Sequence, residues 1–137
     1  MPEVPAVGRT VTRTARILLV EDLPDDAFFV ERMLASAGID ASIFVVCDEE
    51  PFRQALGEEP APDLVLTDNK LPRFSAWTVL DIVRELAPGI PVALVSGTLR
   101  DGDGDVDAAL RRGAQAVVRK SELKSLPGVV RRLLAAR

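Results

Sequence analysis

The residues best suited to chemistry stand at the ends of short apolar runs. Glu21 and Asp22 follow ILLV at 17–20, Asp68 follows LVLT at 64–67, Ser96 follows VALV at 92–95, and Lys120 follows AVVR at 116–119. Three carboxylates brought to one place repel, and the repulsion raises at least one pKa unless a cation compensates. Hard carboxylate oxygens suit magnesium, which keeps several of its waters. A carboxylate that attacks a phosphoryl group needs its own charge and that of the phosphate neutralised, which a metal ion and a fixed lysine accomplish electrostatically. Aspartyl phosphates are covalent intermediates of this kind. Taken together, these residue types suit phosphoryl transfer to an aspartate, with Ser96 supplying a hydroxyl donor.

Such a set works only if the chain brings it together. Five apolar runs, at 17–20, 42–46, 64–66, 92–95 and 116–118, are apolar at nearly every position. That pattern suits strands covered on both faces, as in a parallel sheet between helices. Helical patterns alternate with them. Pro24 fits a first helical position, Asp25 and Asp26 complement the positive end of the helix dipole, and Phe29, Val30, Met33, Leu34 and Ala37 form one stripe ended by Gly38. A short helix is expected over 51–56. Ser75 caps a third, with Val79, Ile82, Val83 and Leu86 on one face before Pro88. Val106, Ala109 and Leu110 mark a fourth, closed by Gly113. A fifth runs from about Glu122 to the end, with Leu126, Val130, Leu133 and Leu134 inward.

Five strands alternating with five helices argue for an α/β doubly wound fold with right-handed crossovers. If the strand order is the flavodoxin-like 2-1-3-4-5, a (βα)5 arrangement with a five-stranded parallel sheet, strands one and three are neighbours. The acids then meet at the carboxyl edge of the sheet, where strand order reverses and such folds place their ligands. The expected division is an N-terminal tail at 1–14 and one domain at 15–137, since 137 residues suffice for one good core but not two.

At this level of detail ILLVED at 17–22, LVLTDNKLP at 64–72, VSG at 95–97 and Lys120 after GAQAVV resemble the receiver domains of response regulators in two-component systems. The resemblance covers roughly residues 15–136. It implies that Glu21 and Asp22 are the acidic pair, Asp68 the phosphoacceptor, Ser96 the conserved hydroxyl residue and Lys120 the conserved lysine. It further implies a magnesium ion held by Glu21, Asp22, Asp68 and the main-chain oxygen of Lys70. SGTL and RKSEL resemble a subgroup found beside sensory kinases and photoreceptors. Two positions depart from the family. Ser121 stands where proline is usual, which weakens the case for the cis peptide bond found there. Val117 replaces the usual Tyr or Phe, so no ring is available to swing inward on phosphorylation, and the response is expected in the glycine-rich stretch 97–105 instead. The Lys70 side chain, next to the phosphoryl position, is expected to hinder the water that hydrolyses it.

A lone acid at a strand end is more often a cap or turn former, but three acids with Ser96 and Lys120 outweigh that account. Trp77 and the phenylalanines are read as core, and Cys47 as a small residue without chemistry. DGDGDVD at 101–107 fails as a calcium loop, because Val106 stands where glycine is required and Arg112 where the bidentate Glu belongs. A net charge of -4 gives no basic footprint for nucleic acid, and no run is long enough to cross a bilayer. The absence of an apolar signal segment and the lone Cys47 fit a cytoplasmic setting. The expected role is a stand-alone regulator, monomer or weak homodimer, phosphorylated by a sensor histidine kinase or phosphotransfer protein and signalling through a downstream protein. One rival is a phosphorylation-independent binding module, which would be expected to lack an acid or the lysine. The other is an aspartate-based phosphatase, which Lys70 disfavours because a second Asp belongs two residues after the nucleophile.

Overall fold

Alternation of strand and helix is realised throughout the computed structural model, which describes residues 14–68, 75–96 and 105–136. The order is β1 (Ala15–Val20), α1 (Pro24–Ser36), β2 (Ala41–Val46), α2 (Glu49–Leu56), β3 (Leu64–Asp68), α3 (Ala76–Leu86), β4 (Val92–Ser96), α4 (Asp105–Arg111), β5 (Ala116–Arg119), a 3-10 turn (Lys120–Ser125) and α5 (Leu126–Ala135). All strand pairs are parallel, in the order β2-β1-β3-β4-β5. Thr14 and the start of β1 are tied to the base of β2, where the Thr14 hydroxyl donates to the Asp40 carboxylate at 3.1 Å.

Each face of the sheet has its own core. Ile17, Leu19, Leu64, Leu66, Val95 and Val118 pack beneath α1 and α5, whereas Leu18, Val20, Val65 and Leu94 pack with α2, α3 and α4. Successive residues of a strand point to opposite faces, so runs that are apolar at every position are needed wherever helices cover both sides. β3 and β4 are buried along their whole length. The helix ends follow the sequence closely: Pro24 opens α1, Ser75 caps α3 by accepting the Thr78 N–H at 3.2 Å, and Gly38 and Gly113 take the positive φ values, 81° and 112°, that follow α1 and α4.

Several expectations are corrected. β2 is an edge strand, so Phe44 and Val45 are exposed rather than covered. Of the phenylalanines in described residues, Phe52 is core, but Phe28 and Phe29 join Phe44 at the surface. The inward line of α1 is Ala27, Val30 and Leu34, one helical face that leaves Phe29 on its flank. Leu86 and Leu110 are exposed because the inward faces of α3 and α4 run through Val79 and Val83, and through Ala109, instead. Trp77 is only half-buried, with the Arg112 guanidinium 5.1 Å from its ring centre. The last α-helix begins at Leu126, not near Glu122. Pro127 suits a first turn, and Glu122 has a non-helical φ of -121° and ψ of 34°.

Candidate phosphoacceptor site

Register alone assembles the site. Val20 pairs with Thr67, which sets Glu21 level with Asp68. Asp68 pairs with Val95, and Ser96 with Arg119, immediately before Lys120. Three adjacent strands, β1, β3 and β4, and the exit of β5 therefore deliver their polar residues to one edge. Asp68 and Ser96 are the last residues of their strands, one position deeper than a loop would put them, and both are buried, Asp68 with 4% of its surface exposed. Strand geometry, not loop geometry, aims them.

Lys120 reaches back over this edge. Its Nζ donates to Asp68 Oδ2 at 3.3 Å and to Asp26 Oδ2 at 3.2 Å. Burial disfavours its charge, but the hydrogen bond to Asp26 and the negative charge of Asp68 prevail and raise its pKa above the ordinary lysine value. Glu21 is buried and accepts the Leu23 N–H at 3.2 Å. Desolvation, reinforced by the charges of Asp68 and Asp26 and opposed by the Leu23 N–H and Lys120, lifts its pKa to about 7.

Among the described residues, the acids able to share a cation are Glu21, Asp26 and Asp68, whose ligand oxygens lie within 4.8 Å of one another. The donor set is all hard oxygen, which fits a divalent cation of the magnesium or calcium type. Asp22 is half-buried at the head of the loop into α1 and is not in this group. The main-chain oxygen of Lys70 and the stretch 97–104 lie outside the described residues. Asp26 was read in the sequence only as a helix-dipole partner. The missed signal is topological: the first turn of a helix that follows a site strand sits on the same sheet edge as the site.

A pocket of about 240 Å3 opens above Asp68, walled by Glu21, Asp26 and Lys120 on its polar side and by Phe29, Val30 and Leu123 on its apolar side. Exposed Phe29 walls this pocket and, with exposed Phe28, also lines a second groove along α1 beside Arg32 and Met33. Val117, in place of a ring, packs half-buried against the core of the α2, α3 and α4 face. The peptide joining Lys120 to Ser121 is trans.

Residues 17–130 match the family model for the response regulator receiver domain. The chain belongs to this family. A transcriptional activator protein, IrlR of Burkholderia pseudomallei (strain 1026b), is 36% identical over 120 residues, covering 87% of this chain and 50% of that protein. The solved receiver domain of Francisella response regulator 1452 aligns with a TM-score of 0.76 at 20% identity, over 90% of this chain and 98% of that one. NtrX from Brucella abortus aligns with a TM-score of 0.77 at 27% identity, over 90% of this chain and 28% of its own. The receiver spans about half the length of the curated relatives it matches. Receiver domains of two-component systems are phosphoacceptor signalling domains, and no helix among the described residues is long and apolar enough to cross a membrane.

Proposed function

We propose that this receiver accepts a phosphoryl group on Asp68 from a phosphohistidine of a sensor histidine kinase or phosphotransfer protein. The observation that carries the proposal is the buried Asp68 carboxylate with the Lys120 ammonium 3.3 Å away. An Asp68 oxygen forms a bond to phosphorus as the P–N bond to the donor imidazole breaks, the electron pair leaving with the imidazole nitrogen. Lys120 offsets charge on the phosphoryl oxygens, and the Ser96 hydroxyl is the neutral donor assigned to the same oxygens. Glu21, Asp22, Asp68 and the main-chain oxygen of Lys70 would hold magnesium, which supplies the positive charge that the acidic edge lacks.

Exposed Phe29, which walls the pocket, and exposed Phe28, which shares the neighbouring α1 groove with it, give a protein donor apolar surface on which to dock. Output by contact with a downstream protein, as a cytoplasmic monomer or weak homodimer, completes the proposal. The test is incubation with acetyl phosphate and magnesium, followed by intact mass and peptide mapping. One phosphoryl group on Asp68, labile to hydroxylamine and absent from Asp68→Asn, is expected. Equal labelling of Asp68→Asn would overturn the assignment.

A further inference from the structure

Lys120 has two carboxylate partners, and only one of them is the acceptor. Its Nζ is 3.3 Å from Asp68 Oδ2 and 3.2 Å from Asp26 Oδ2, while the lysine side chain keeps 36% exposure. A lysine on a flexible four-carbon stem at that exposure is pulled toward solvent, so one contact alone holds it loosely. Asp26, by contrast, hangs from the first turn of α1, which Ala27, Val30 and Leu34 fix against the sheet. We infer that Asp26 is a positioning residue that keeps the Lys120 ammonium at the phosphoacceptor while the phosphoryl group arrives. This rests on the reading of Asp68 as the acceptor.

The need for a second anchor follows from the charge movement. Once Asp68 carries phosphorus, the bonded oxygen becomes an ester oxygen and negative charge moves outward to the phosphoryl oxygens. Lys120 must follow that charge, and its hold on Asp68 weakens as it does. Asp26 forms no bond to phosphorus, so its carboxylate is not consumed in the step. An ammonium has three donors, so Lys120 can keep one on Asp26 and turn the others to the phosphoryl group. Asp26 also repels an incoming phosphate, an effect opposite in sign. Its charge is paired directly with Lys120 and half in solvent, so that repulsion is screened and the anchoring effect prevails.

The test is a double-mutant cycle on the rate of labelling by acetyl phosphate at saturating magnesium, in which the donor's O–P bond breaks and acetate leaves. Intact mass followed over hours keeps the slow Lys120→Ala background measurable. Asp26→Asn is expected to slow labelling about two- to fivefold in the parent, the range of a partly exposed ion pair, and less than about 1.5-fold when Lys120 is already alanine. Because Asp26 also lies within 4.8 Å of the Glu21 and Asp68 oxygens, the magnesium affinity of each variant is measured by calorimetry and every rate is taken at its own saturating magnesium, so that the cycle reads the lysine and not the metal. Equal slowing in both backgrounds, no slowing in either, or recovery of the Asp26→Asn rate on adding more magnesium would each overturn the inference. Labelling that survives Asp68→Asn would instead undo the underlying acceptor reading, so the two failures are separable.

Discussion

β3 and β2 are both short, largely apolar strands and meet opposite fates. LVLTD in β3 is buried at all five positions, while ASIFVV in β2, just as apolar, leaves Phe44 55% exposed. The difference lies in neighbours: β3 is flanked by β1 and β4, whereas β2 ends the sheet. An apolar run therefore specifies a strand without specifying its burial. Position in the sheet also decides where chemistry can be placed. Asp68 is held rigidly because a strand pairs on each side of β3, and the corresponding end of β2 carries Cys47 and no site residue.

The largest expected effect tests the buried side of this comparison. Leu66 is fully buried in the core beneath α1 and α5, and Leu66→Ala should lower stability by about 2–5 kcal/mol through lost transfer energy and the cavity left behind. Urea unfolding followed by circular dichroism measures it. A loss under about 1 kcal/mol would mean that the centre of the sheet is not packed as described.

An intermediate effect concerns the charge stored at the site end of β1. The Glu21 pKa is raised from 4.5 to about 7, first by desolvation. Between those values the folded state binds more protons than the unfolded one, so the favourable contribution is complete below about pH 4.5 and is lost as pH rises through about 7. Glu21→Gln cannot ionise. In EDTA its stability should match the parent near pH 4 and exceed it near pH 8.5, by at most about 3 kcal/mol. Magnesium should then stabilise the parent more than the variant, because only the parent offers the charged ligand. Stability profiles that run parallel across this pH range would show that Glu21 is not buried in a shortage of positive charge.

How much of this was readable in advance differs between the same two strands. The order of elements follows from apolar runs and Gly and Pro punctuation, and with a 2-1-3-4-5 sheet order taken as given, the rule that ligands lie at the carboxyl edge brings Asp68 and Lys120 to one place. Burial along β2, α3 and α4 did not follow, because hydrophobic residues are a one-way guide: interiors require them, but surfaces also contain them. Phe29, Phe44, Leu86 and Leu110 were assigned inward on residue type and lie outward by geometry. Asp26 does sit in the first turn of α1, as its charge suggests, but that place is only part of its role. Its charge fully explained a place in the first turn of α1, and only the finished fold brings that turn within reach of Lys120.

The smallest expected effect closes the comparison at the edge strand. Phe44→Thr retains strong β propensity while removing an aromatic ring, so it isolates the value of packing at that position. With 55% of Phe44 exposed, less than half of its surface returns to water on substitution, and the loss of stability should stay within about 1.5 kcal/mol, below the range for Leu66→Ala. An uncharged strand with an open edge and an exposed ring also favours edge-to-edge association. The variant should therefore remain monomeric to higher concentration, as read by light scattering. A destabilisation approaching that of Leu66→Ala would contradict the assignment of β2 as an open edge, since a ring worth that much must be covered in solution. A small loss with unchanged association would keep the edge open but remove Phe44 as the residue that makes it adhesive.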